Sequence, residues 1–162
     1  MLSNTASILP AYVELYIVDL TGIGGSTYRL TPGQNVSFGG QTYSTFSIKM
    51  SAVTRSGDGT PTRPSLEIDN LNKLLLSEVI ALGDLVGAKV SRIRTFEKYL
   101  DAGSTPDQSA ALYETYYINQ KTNHTPSSIT FELVDALELT DGQLPNIQAT
   151  NKIFPALGRM GY

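Results

Sequence analysis

Tyr12 to Leu20 (YVELYIVDL) alternates so tightly that it fits a half-buried β-strand and little else. Val13, Leu15 and Ile17 share one face, and Tyr12, Glu14 and Tyr16 share the other. The same period then recurs between breakers along the chain. Thr21–Ser26 is dense in glycine and TYRLT returns as a strand, which predicts a hairpin with a longer turn. Pro32-Gly33 and Gly39-Gly40 are turn pairs that set off NVSF and QTYSTFSIKM as further strands. Ser65–Ile68 reads as a short strand, followed by Val86–Leu100, Ala110–Asn119 and a long Ile129–Leu139 bulged near Asp135 and Ala136. Asp101–Gln108 and Thr122–Ser128 are the intervening loops. Ser56–Pro64 (SGDGTPTRP) holds two glycines and two prolines, a density that neither a helix nor a central strand tolerates.

One segment breaks the period. Between Leu71 and Leu82, the side chains of Leu71, Leu74, Leu75, Val79 and Leu82 fall on one helical face. Asp69 or Asn70 supplies the N-cap, and Gly83 sits where a helix closes on glycine. The expected fold is mainly β: an antiparallel β-barrel or sandwich of about eight strands with one α-helix inserted near residues 71–82. Residues 1–140 form a single domain. Residues 141–162, punctuated by Asp141-Gly142, Pro145 and Pro155, form an irregular C-terminal tail.

Composition then removes chemistries. The 162 residues are 41% hydrophobic and 17% charged, enough apolar surface for a core, with 15 Ser and 17 Thr suited to strands and turns. There is no cysteine, which excludes disulfides, thiolate metal sites and a cysteine nucleophile. A single histidine, His124, excludes histidine-cluster metal sites and leaves one ring for any catalytic triad. A net charge of −3 argues against a dedicated nucleic-acid binder. The opening ten residues carry no secretory pattern, and no apolar run reaches the ~20 residues of a membrane span. The expectation is a protein made in the cytoplasm and soluble. The sequons at Asn35 and Asn123 are then chance matches.

The remaining motifs read mostly as structure. Gly22-x-Gly24-Gly25 lacks the following helix of a dinucleotide fingerprint and is a hairpin turn. Asp58-Gly59 lacks the ligands of a calcium loop. His124 sits beside Pro126 in a polar turn. Glu14, Asp19, Glu67, Glu132 and Glu138 lie on or near strands, as carboxylates do on any solvated β face. Arg92, Arg94 and Lys98 form a basic ladder, read either as cross-strand ion pairs or as a contact surface for an acidic partner. Arg63, in Thr60-Pro-Thr-Arg-Pro64, is flanked by prolines that stiffen its support, and it reads either as an ordinary loop residue or as an interface contact. No catalytic, cofactor or metal site is expected.

Several blocks in one order carry a resemblance. They are Val13-Glu-Leu-Tyr-Ile-Val-Asp-Leu-Thr21, Gly59-Thr-Pro-Thr-Arg-Pro-Ser-Leu-Glu-Ile-Asp-Asn-Leu71, and Leu85-Val-Gly-Ala-Lys-Val90 running to Tyr99-Leu-Asp101. Phe131-Glu-Leu and Thr140-Asp-Gly142 continue the series. Together they resemble the minor tail protein L family of lambda-like tailed bacteriophages. The resemblance implies a structural, non-enzymatic part of the tail tip, tail-tube-like in fold and assembled in the host cytoplasm. Its implied partners are copies of itself in a closed ring, a trimer in preference to a hexamer, together with the distal tail protein and the central hub or host-specificity protein. Double-stranded DNA would pass through the lumen without specific binding, and the acidic balance suits such a channel. A ring needs a heterologous interface. Arg63, Arg92 and Arg94 are candidates for it, as are the apolar Ile153, Phe154 and Leu157 of the tail, expected to act as a strap. The family pattern also implies a cysteine-rich C-terminal domain with an iron–sulfur cluster. No cysteine is present here, so no cluster is expected. Two other readings compete: a carbohydrate-binding β-sandwich of a receptor-binding apparatus, using its tyrosines, and a small hydrolase using His124 or a carboxylate pair.

Overall fold

The computed structural model describes residues 11–51, 63–69, 76–125 and 127–136. These residues contain nine strands: β1 (Tyr12–Asp19), β2 (Thr27–Thr31), β3 (Val36–Phe38), β4 (Gln41–Thr45), β5 (Ile48–Met50), β6 (Ser65–Asp69), β7 (Lys89–Phe96), β8 (Leu112–His124) and β9 (Ser128–Val134). One short helix, α1 (Leu76–Ala81), lies between β6 and β7. The strands form one sheet in the order β3-β4-β2-β1-β7-β8-β9-β6-β5, antiparallel throughout except where β2 meets β4.

The segment QTYSTFSIKM, read above as one strand, is two. Phe46–Ser47 interrupts it, and the physical reason is a change of partner. β4 pairs with β2 near one end of the sheet, while β5 pairs with β6 at the far end. Three Cα steps from Thr45 to Ile48 reach at most about 11 Å, so the two ends of the sheet must lie side by side. The Phe46 N–H donates to the Thr31 carbonyl (2.8 Å), and the Asp69 N–H donates to the Ser47 carbonyl (2.8 Å). The sheet therefore rolls over on itself and is joined by this single step. It is sandwich-like, not a closed barrel.

The roll encloses the main core. Tyr16 and Val18 of β1, Leu20 just after it and Val90 of β7 meet Ile48, Met50, Leu66 and Ile68 of β5 and β6, with Ile129, Phe131 and Leu133 of β9 beside them. Helix α1 plugs one end, its Val79 almost fully buried and Leu82 packed beside it. Leu71, Leu74 and Leu75 of the predicted stripe lie outside the described residues. Gly83 takes φ +62° directly after the helix, the left-handed closure expected of a glycine there. Asp84 and Leu85 follow at φ +60° and +58°, uncommon for non-glycine residues. Two contacts fix this bend: Leu85 is fully buried, and the Lys121 ammonium donates to the Asp84 carboxylate.

The outer face of the sheet has a smaller core of its own. Leu15 and Ile93 are covered by Phe38 and Tyr43 of the β3–β4 hairpin and by Leu100. The hairpin's Gly39-Gly40 turn has positive φ at both residues, which glycine alone adopts freely. Asp101 staples this turn: its carboxylate accepts the Ser37 hydroxyl (2.7 Å) and the amides of Gly39 (2.9 Å) and Gly40 (2.8 Å).

Several strand bounds differ from the sequence reading: β7 begins at Lys89 and not Val86, β8 at Leu112 and not Ala110, and three strand ends shift as well. β7 ends at Phe96, and Glu97–Tyr99 forms a 3-10 turn, so Lys98 leaves the basic ladder and lies over the Tyr99 ring instead. β8 runs through Thr122–His124, expected to be a turn, because it pairs with β9 through two register shifts, at Ile118/Gln120 and Lys121/Asn123. β9 stops at Val134, and the bulges lie in β8 and not near Asp135. The predicted boundary at 140/141 and the tail lie outside the described residues.

Candidate functional site

Alternation carries the inner face of β1 from the core out to the mouth opposite the helix plug. Val18 pairs with Val90, and beyond it Tyr16 with Arg92, Glu14 with Arg94 and Tyr12 with Phe96. On the other flank of β7, Arg92 lies opposite Glu114 and Arg94 opposite Leu112. Directly opposed residues share a face, so an apolar core grades into a charged network and then into exposed aromatics.

The network is closely bonded. Arg92 Nε donates to Glu114 Oε2 (2.7 Å), and Arg94 Nη2 donates to Glu114 Oε1 (2.9 Å). Tyr16 donates its hydroxyl to Glu14 Oε2 (2.7 Å) and Tyr12 to Glu14 Oε1 (3.2 Å). Arg92 is 6% exposed. Burial works against its charge, and the hydrogen bond and charge of Glu114 more than offset that, so its pKa rises. Burial, then the bond to Glu14, pushes the Tyr16 hydroxyl well above its ordinary value. Arg94 is more open, its side chain 32% exposed with a buried Nε that has no partner. The ladder thus forms cross-strand ion pairs, and Arg94 is its accessible member.

Arg63 lies elsewhere, on the outer face. Its Nη1 donates to Glu132 Oε1 (2.9 Å), which also accepts from Asn119 Nδ2 (2.8 Å). The Asn119 bond first, and then Arg63, hold the Glu132 carboxyl below its ordinary value. The structure therefore does not bring Arg63 together with Arg92 and Arg94. Of the neighbouring stiff loop, residues 56–62 lie outside the described residues, as do Ile153, Phe154 and Leu157.

At the plug end, Tyr28 donates to the Glu78 carboxylate across the helix–sheet junction. That bond first, and burial second, push the Tyr28 hydroxyl up to about 12. The other Glu78 oxygen is buried without a partner. Gly25 approaches so closely that an added Cβ would sit 2.7 Å from Leu20 Cβ and Leu82 Cδ1. Sequence reading missed this latch, because a tyrosine and a glutamate fifty positions apart give no local signal.

Two open grooves of about 570 Å³ each run beside β3. One is lined by Asn35, Val36, Glu97 and Lys98, and the other by Tyr12, Glu14, Pro32 and Gln34. Glu14 is already taken by two tyrosines. His124 ends β8, exposed and apart from both grooves. The Gly22–Gly25 segment is a hairpin turn leading straight into β2.

The comparisons with known proteins bear directly on this open-ended roll. The family model for phage minor tail protein L matches residues 21–156. The chain belongs to the phage minor tail protein L family. A similar protein is tail tip protein L of Escherichia phage lambda, 31% identical over 143 residues, covering 82% of this chain. The chain spans 61% of the length of that relative. As a minor tail protein L, the chain is a structural component of a phage tail and belongs to the virion. The thiolate ligands of the iron–sulfur cluster implied by the resemblance have no counterpart in these 162 residues, which hold no cysteine.

Proposed function

We propose that the chain is a non-catalytic ring subunit of the tail tip, set between the distal tail protein and the central hub or host-specificity protein. The observation that carries this reading is the likeness to tail tip protein L over 82% of the chain. The geometry supports it as well. Glu14, Arg92, Arg94 and Glu114 at the mouth are held in bonds that brace the sheet. Copies join in a closed ring, a trimer in preference to a hexamer, around a lumen that double-stranded DNA crosses without specific binding. Assembly takes place in the host cytoplasm. Arg63 and Arg94 meet neighbouring proteins, Arg92 holds Glu114 in place for Arg94, and Ile153, Phe154 and Leu157 strap the ring.

The test is a phage deleted for this gene. It should yield filled heads without functional tails, restored by the full chain supplied in trans. A copy lacking Asn151–Tyr162 should fold yet fail to restore them. Infectious particles from the deletion would overturn the reading. A strongly basic lumen in an image of the assembled ring would overturn the part concerning DNA. The carbohydrate-binding alternative needs stacking aromatics on one concave face. Among the described residues the exposed rings are divided, Tyr12 and Phe96 on the inner face and Tyr113, opposite Ile93, on the outer.

A further inference from the structure

Partial burial sets one arginine apart from the other cations. Among the described residues, Arg29, Arg92, Arg94 and Lys121 are at least partly withdrawn from water, while Lys49, Arg63, Lys89 and Lys98 are exposed. Glu114 answers Arg92 and Arg94, and Asp84 answers Lys121. Arg29 alone of those four makes no ion pair or side-chain hydrogen bond, and its Nε is buried without an acceptor. A charge drawn partly out of water and left unpaired costs stability, so a chain that pairs the other three leaves this one unexplained.

Arg29 stands on the outer face of β2. By register it lies opposite Ile17 of β1, and the parallel pairing of Leu30 with Ser44 sets it beside Tyr43 of β4. Burial raises the Tyr43 hydroxyl and the Arg29 charge acts to lower it, so the guanidinium is within electrostatic reach of that ring. The two carboxylates of this neighbourhood are engaged elsewhere. Asp19 accepts from Thr21 and Thr27, and Asp101 from Ser37, Gly39 and Gly40.

We propose that Arg29 is a docking residue whose counter-ion is a glutamate or aspartate side chain of a neighbouring tail protein. The planar fork of a guanidinium meets a carboxylate through two parallel bonds. Arginine is also among the residues that carry most energy where an interface excludes water. A nucleic-acid backbone fits less well, because it is held by several cations in file. The outward rows of β1, β2 and β7 hold one further cation, Lys89, and it lies opposite Asp19. The inference rests on the reading that the chain meets other tail proteins, and adds a contact residue and the chemistry it takes.

The test uses the full chain supplied in trans to a phage deleted for its gene. Arg29→Met keeps a stem of similar length and removes the charge. It should leave the thermal midpoint of the isolated chain at or above that of the unaltered chain, since no counter-ion is lost. It should also lower the yield of infectious particles at least tenfold, with few complete tails in electron micrographs. Arg29→Lys, supplied together with the unaltered chain so that tails form, offers an amine where the guanidinium stood. Carbodiimide treatment of those tails should couple that amine to an aspartate or glutamate of another chain, read on gels as a larger species and by mass spectrometry as a linked peptide pair. A lowered midpoint in Arg29→Met, or a link found only within one chain, would overturn the proposal, because the counter-ion then belongs to the chain itself. No link at all, or an undiminished yield from Arg29→Met, would overturn it and leave the tail-tip reading standing, provided that the unaltered chain restores particles. Complete tails that fail only in passing DNA would overturn it in favour of a phosphate contact. An unaltered chain that restores nothing would overturn the tail-tip reading, and the proposal with it.

Discussion

Arg92 is the residue on which the mouth depends. It is nearly buried, and the Glu114 it binds also holds Arg94. Removing one partner of such a pair leaves an uncompensated charge where water cannot easily follow. Arg92→Ala should therefore lower unfolding free energy by about 3 kcal/mol, toward the lower end of what broken buried pairs cost. Arg92→Met paired with Glu114→Gln should recover much of that loss, as read from urea denaturation. Asp101 makes a different case at the same scale. It is fully exposed, so its value lies in geometry: three donors from one turn converge on one carboxylate. Asp101→Ala should speed amide exchange at Gly39 and Gly40 selectively, with little change in the β1–β7 ladder. Exchange unchanged at those glycines would show that the turn holds without its staple.

Helix α1 and the bend after it are the element most exposed to a single substitution. Gly25 leaves no room for a side chain against Leu20 and Leu82, so Gly25→Ala should destabilise by about 1–3 kcal/mol through overpacking. Thermal unfolding would read this directly, and an unchanged midpoint would mean that the helix can shift outward. β8 shows at the same scale why the sequence was only partly legible. Two bulges each advance the alternation by one residue, so the strand's partners on β9 skip Asn119 and Thr122. No period-2 template follows a strand whose phase changes twice, so the polar Thr122–His124 stretch reads as a turn in the sequence and is strand in the structure. β1, β2 and β6 keep their phase and were legible to within a residue or two. The pairing of Arg92 and Arg94 with a carboxylate was foreseeable from their spacing. That one glutamate serves both is a property of register, and register between distant strands is not written locally.

For the whole molecule, the pH range of stability follows from its shifted groups. Asp19, Asp101, Asp107 and Glu132 are held below their ordinary values by the hydrogen bonds they accept. A lowered carboxylate contributes stability that is present above its unfolded value, near 4, and lost as pH falls through the folded one. Tyr12, Tyr16, Tyr28, Tyr43 and Tyr116 are raised from 10.0, so their contribution is present below that value and lost as pH climbs above it. Denaturation midpoints should be flat between about pH 5 and 9 and fall on both sides. A midpoint still rising below pH 4 would contradict the acid limb. The roll itself hangs on Phe46, buried in the core at the one step that joins the ends of the sheet. Phe46→Ala should cost about 3–5 kcal/mol.

The pairing of β1 with β7 also sets an order in time. Tyr12 finds its partner at Phe96, eighty-four positions later, and Asp19 finds Lys89. Until the ribosome has passed Phe96, β1 has β2 on one side and a bare edge on the other. Contacts this distant in sequence make for slow folding, on the scale of milliseconds to seconds. The unfinished chain is most prone to stick to its neighbours during that interval, well before any tail is built.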